Sequence, residues 1–104
     1  MTRTRVNKRN ESILYSKISV PTEIHLRRML IFEALQKLEN YLNDAAIGRL
    51  PRVRIIHGKG TGKLKRAVLD YLSRHPCVSK YYPALPSEGS GGVTIAELEE
   101  INHT

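Results

Sequence analysis

The chain has 104 residues, 40% of them hydrophobic, enough for one domain with a modest core. Its single cysteine, Cys77, excludes an intramolecular disulfide and a cysteine-paired zinc site. No apolar run approaches the ~20 residues that span a bilayer and no signal-like segment opens the chain, so a cytoplasmic protein is expected. A net charge of +7 favours an acidic polymer over a neutral metabolite as partner.

The charge is segregated along the chain. Between Asp44 and Asp70 there is no acid, yet Arg49, Arg52, Arg54, Lys59, Lys63, Lys65 and Arg66 all fall there; after Lys80 come Glu88, Glu97, Glu99 and Glu100 and no Lys or Arg. Residues 1–12 carry Arg3, Arg5, Lys8 and Arg9 with little that is apolar and read as a disordered basic arm. Residues 13–22, with Ile13, Leu14, Tyr15, Ile18 and Val20 before Pro21, read as an extended segment on a sheet edge. The folded domain is expected over 23–98, with a frayed tail over 99–104.

Within that domain Glu23-Ile24-His25-Leu26-Arg27-Arg28 alternates, as a half-buried strand does, with Ile24 and Leu26 inward and His25, Arg27 and Arg28 outward. From Met29 the period changes. Ile31, Leu35, Leu38, Leu42 and Ala45, with Ala34, Tyr41 and Ala46 beside them, mark the stripe of an amphipathic helix that Gly48 ends. Arg52 to Ile56 forms a second strand rich in β-branched residues, followed by the loop His57-Gly58-Lys59-Gly60-Thr61-Gly62. Leu64, Ala67, Val68, Tyr71 and Leu72 give a second helix, with Thr61 as N-cap and His75-Pro76 as its stop. Val78 to Tyr82 and the alternating Val93 to Leu98 make a closing hairpin across a long, flexible Pro/Gly/Ser connection. The order is β-α-β-α-β-β, and the helix-length crossover between the first two strands favours their parallel pairing.

Backbone N–H groups and lysines at a strand–glycine–helix junction bind anions, phosphate foremost. Two familiar motifs fail there. In a Walker A loop Gly62-Lys63 would precede Ser or Thr, but Leu64 follows; in a dinucleotide fingerprint a third glycine would stand where Lys63 does. His57, beside the loop, is suited to proton transfer or to hydrogen-bonding the loop into shape. Of the other histidines only His25 comes from a neighbouring strand end; no metal-ligand spacing is present among them.

His57-Gly58-Lys59-Gly60-Thr61-Gly62 after an apolar strand, Ile24-His25-Leu26-Arg27 before a helix containing Glu33-Ala34-Leu35, His75-Pro76, and Gly91-Gly92-Val93-Thr94-Ile95 resemble the Smr (small MutS-related) domain family over Glu23 to Leu98. The resemblance implies an α/β two-layer sandwich, two helices on a four-stranded mixed sheet, similar to the C-terminal domain of a bacterial translation initiation factor. It also implies DNA or RNA as partner, held through the phosphate backbone, and an endonuclease that nicks or cuts it. By that resemblance the candidate catalytic residues are His57, His25 and Lys59. The candidate nucleic-acid contacts are Arg27, Arg28, Gly58, Lys59, Gly60, Thr61, Gly62, Lys63 and Arg66. The family's usual aspartate and the glycine after Leu-Asp-Leu-Arg are here His25 and Arg28. A carboxylate at position 25 would serve as a base or help hold a divalent metal, whereas imidazole is a poor magnesium ligand. The alternative is therefore a catalytically inactive module that binds branched or structured nucleic acid by charge and shape.

Overall fold

The computed structural model describes residues 20–88 and 91–99. The basic arm 1–12, residues 13–19 of the expected edge segment and residues 100–104 of the tail lie outside the described residues. The chain runs β1 (Glu23–His25), α1 (Ile31–Ile47), β2 (Arg52–Ile56), α2 (Lys63–Arg74), β3 (Val78–Pro83), a 3-10 turn (Pro86–Glu88) and β4 (Val93–Leu98). The four strands form one sheet in the order β1-β2-β4-β3. β1 and β2 are parallel, with Ile24 opposite Ile55, and β4 runs antiparallel to both β2 and β3. This is the expected mixed sheet with two helices.

Both helices pack on the same face. Ile24, Leu26, Val53, Ile55, Ala96 and Leu98 from the sheet side meet Ala34, Leu38, Leu42 and Ala45 of α1 and Val68 and Leu72 of α2 in one core. Burial of this apolar set, at roughly 25 cal/mol per Å² removed from water, is the main term holding the layers together. On the opposite face Ala84, Val93 and Ile95 form a smaller cluster with Ile56 against it.

Several local expectations are corrected. The alternation in Val93–Leu98 suggests a half-buried strand, yet Val93, Thr94, Ile95, Ala96 and Leu98 are all buried, because β4 is central and carries apolar clusters on both faces. Ile31, expected in the inward stripe, is 40% exposed at the first residue of α1; the stripe proper is Ala34, Leu38, Leu42 and Ala45. Gly48 does cap α1, but in a right-handed conformation (φ −76°), and the left-handed residue is Arg49 (φ 60°). The Leu50 N–H then donates to Ala45 O and the Arg49 N–H to Ala46 O, both at 3.0 Å, which is the bonding of a Schellman end. The connection between β3 and β4 is not wholly irregular, since it contains the 3-10 turn, tied to β2 by a 3.0 Å bond from Arg54 Nη2 to Glu88 O.

Candidate nucleic-acid interface

Parallel pairing brings the C-terminal ends of β1 and β2 to one edge of the sheet, and each is followed by a helix, so α1 and α2 both start at that edge. Their N-terminal dipole ends make it electropositive. The chain leaves β1 through Leu26, whose N–H donates to Ile56 O at 2.8 Å, and turns at Arg27-Arg28, closed by the Met29 N–H on Leu26 O at 3.2 Å. Facing that turn is the glycine loop. Between them lies a cleft of about 330 Å³ lined by Arg27, Arg28, Met29, His57, Gly58, Lys59, Gly60, Thr61, Gly62 and Leu64.

Glycine is required at position 58 for two reasons. Its φ is +79°, and a Cβ there would sit 3.3 Å from Cγ of Arg27, whose side chain lies across the loop. At the start of α2 the expected cap is corrected: Gly62, left-handed at φ 90°, is the N-cap, and the helix begins at Lys63. Thr61 contributes one position earlier, its hydroxyl accepting from the Lys63 N–H at 3.3 Å. Among the described residues the N–H groups of Lys59, Gly60, Thr61, Leu64 and Lys65 have no acceptor, so the loop and first turn present donors to an anion.

His57 is 3% exposed. Its Nδ1 is 2.8 Å from Gly58 O and its Nε2 is 2.8 Å from Thr94 Oγ1. A carbonyl only accepts, so Nδ1 carries the proton, and Nε2 accepts from the Thr94 hydroxyl. The backbone repeats this arrangement, with the N–H groups of His57 and Gly58 both donating to Gly92 O at 3.1 and 2.9 Å. Burial pushes the His57 pKa below 6.5, the Gly58 bond opposes that shift, and nearby Lys65 adds to it, so the ring is neutral at pH 7.

Burial also lowers the His75 pKa, with Glu39 opposing. In the unfolded chain both rings titrate near 6.5 and in the folded chain lower, so the unfolded chain takes up protons first as pH falls. Stability should therefore be complete above pH 6.5 and decline below it, through the lowered folded values. Urea midpoints between pH 7.5 and 5 check this, and the decline should be shallower in His75→Asn. Thr94→Val leaves the buried His57 Nε2 without its donor and should cost about 1–3 kcal/mol in the same assay.

The other candidate residues are distributed around the cleft. His25 does not line it. Its side chain is 63% exposed and pairs with Glu23 at 3.0 Å, and its carbonyl accepts from Lys37 Nζ at 3.2 Å. Lys63 and Arg66 are also outside the lining, although a Cβ on Gly62 would meet Arg66 Nη1 at 3.3 Å, which places that guanidinium beside the loop. Sequence reasoning missed Met29 and Leu64 in the lining, and Gly92 and Thr94 as supports for the loop. Thr94 did leave a signal: it pairs with Ile55 on the core-facing side of β4, where a hydroxyl needs a partner.

Arg28 adopts φ 65°. A left-handed conformation costs a non-glycine residue roughly 1–2 kcal/mol, which gives the glycine expected at this position a physical reason. Arg28→Gly should stabilise the fold by about 1 kcal/mol in urea denaturation while removing one cation from the cleft. Among the described residues no Asp or Glu lines the cleft, and no three His, Cys, Asp or Glu side chains cluster as a metal site. The residues present do not fit a divalent cation.

Fold and cleft together define a small α/β domain that presents a basic glycine loop at the C-terminal edge of parallel strands. A family model for the Smr domain matches residues 24–99, and the chain belongs to the Smr domain family. It is 44% identical over 81 residues to "Endonuclease MutS2" of Staphylococcus haemolyticus and 48% identical over 80 residues to that of Thermomicrobium roseum, covering 78% and 77% of this chain. The chain spans about a tenth of the length of these curated relatives. Among solved structures, the Smr domain of Thermus thermophilus MutS2 superposes with a TM-score of 0.74 at 37% identity, covering 76% of this chain and 99% of that one. YdaL, a stand-alone small MutS-related protein from Escherichia coli, gives 0.70 at 27% identity, covering 76% and 65%. No helix among the described residues is long and apolar enough to cross a membrane.

Proposed function

We propose that this domain binds DNA or RNA by seating a backbone phosphate in the cleft between the Arg27-Arg28 turn and the glycine loop. The observation that carries the reading is the convergence of Arg27, Arg28 and Lys59 on a cleft that no carboxylate of the described residues lines, at the N-terminal ends of two helices. Arg27 and Lys59 supply the charge, and the loop N–H groups supply directional donors. Lys63 and Arg66 add to the field outside the cleft. Phosphate contacts of this kind position a nucleic acid without reading its sequence. Binding to labelled DNA and RNA should weaken steeply with salt, log affinity falling by ~0.9 per neutralised duplex phosphate against log salt. Binding insensitive to salt would remove this reading.

Nicking is the second reading, favoured by the relatives named as endonucleases. In it Lys59 and Arg27 hold the scissile phosphate and His57 moves a proton. With Nδ1–H on Gly58 O and Nε2 on the Thr94 hydroxyl, His57 first sets the shape of the loop. It reaches a phosphodiester oxygen only by releasing one of those partners. His25 takes part only if its side chain leaves Glu23. The check is conversion of supercoiled plasmid to open circle, and cleavage of structured RNA, by the wild-type domain with and without divalent metal. Intact substrates that are nonetheless bound would leave the binding module as the function.

A further inference from the structure

Immediately after the cationic turn the chain carries four large apolar residues in succession, Met29-Leu30-Ile31-Phe32. Met29 lines the cleft and packs against the core, but Leu30 is 69% exposed, Ile31 40% and Phe32 78%. Among the described residues Leu30, Ile31 and Phe32, unlike Met29, are not part of the core packing. Leu30 is the N-cap of α1 and makes no side-chain cap bond, where Ser, Asp or Asn would satisfy a free N–H, and Phe32 is a weaker helix former than Ala or Leu. Isolated exposed apolar side chains are ordinary. Three in a row, one residue after the two arginines of an anion cleft, are an exposed apolar stretch of the kind that marks a contact surface.

Phe32 is three residues beyond Met29, so its Cα lies within about 10 Å of the cleft wall. A phosphate held by Arg27 and Arg28 would bring its own or the next nucleoside over this surface. Paired bases inside a duplex offer no π-face to it, whereas an unpaired base at a branch, flap or loop does. We infer that Phe32, flanked by Leu30, is a stacking platform for an unpaired base next to the bound phosphate. It would give the domain a preference for branched or single-stranded ends over continuous duplex. This rests on the phosphate-cleft reading. A protein helix or a second copy of the chain suits the surface less well, because the two side chains just before it in the turn are arginines, and Glu33 is the one acid in the first turn of α1.

The test compares a labelled blunt duplex with the same duplex carrying a single-stranded flap that has 2-aminopurine at its first unpaired position. Wild type should bind the flap more tightly and change the 2-aminopurine fluorescence. Phe32→Ala should lose about 5- to 100-fold in flap affinity, with duplex affinity unchanged, and Phe32→Trp should retain the preference. Equal flap binding by wild type and Phe32→Ala overturns the inference and leaves the cleft intact. Failure of wild type to bind either DNA, or the corresponding RNAs, overturns the cleft reading with it. Unchanged DNA binding together with a shift in oligomeric state for Phe32→Ala reassigns the surface to self-association.

Discussion

The double variant Arg27→Ala, Lys59→Ala should bind nucleic acid on the order of 60-fold more weakly than wild type at about 0.1 M salt. Each phosphate contact releases counterions worth ~0.9 in log affinity per decade of salt, so two contacts account for ~1.8 log units at that concentration relative to 1 M. The salt slope itself should fall by about 1.8 for duplex DNA. Folding should survive, since both side chains are solvent-facing and the core is built from other residues. Fluorescence anisotropy across a salt series gives affinity and slope together. A loss of affinity with an unchanged slope would mean that these residues do not meet phosphate. By the same arithmetic Arg28→Gly should bind about tenfold more weakly while being more stable, a split in sign that a general loss of structure could not produce.

His57→Ala should be the most destabilising change in the loop, by roughly 2–4 kcal/mol. It removes a buried ring and leaves both the Gly58 carbonyl and the Thr94 hydroxyl without their partner. Against a total stability of ~5–15 kcal/mol for a domain of this kind, that is a large fraction. Urea denaturation should place Thr94→Val between wild type and His57→Ala, because it leaves the Gly58 bond intact. Nucleic-acid affinity should follow the same order under conditions where every variant is folded, since the loop N–H groups lose their fixed direction when the ring is gone. A His57→Ala protein as stable as wild type would show that the ring does not hold the loop.

Much of the fold was legible in the sequence because local periodicity reports burial directly. Ile24 and Leu26 alternate with polar neighbours and are 4% and 0% exposed; Leu38 and Leu42 recur at helical spacing and are fully buried. The end of α2 was equally legible, since Pro76 forces His75 into an extended conformation (ψ 126°). What misled was the cover on the sheet's second face. Val93–Leu98 alternates as a strand with one solvated face would, but whether its second face meets solvent depends on what packs over it, and there Val93 and Ile95 cluster with Ala84, from the connection after β3, and with Ile56.

The candidate site divides in the same way. Glycines at 58, 60 and 62 with Lys59 between the first two and Lys63 after the last announced an anion-facing loop, and the turn at Arg27-Arg28 could be paired with it from strand order. The orientation of each side chain could not be read. His25 and His57 are both strand-end histidines in the sequence, yet one points to Glu23 in solvent and the other is sealed between Gly58 and Thr94. Thr94 is 37 residues away from His57.

Composition, periodicity and glycine spacing by themselves determined the chain's own positive charge and where it lies, the order of the elements and the place of the loop, because each depends on residues near one another in the chain. Only the tertiary structure decided that Arg27 lies over Gly58, that His57 is buried with Nδ1 on Gly58 O and Nε2 on the Thr94 hydroxyl, and that Phe32 is left exposed near the start of α1. Those outcomes depend on packing between segments far apart in sequence, where a partner such as Gly92 or Thr94 is chosen by the register of the sheet.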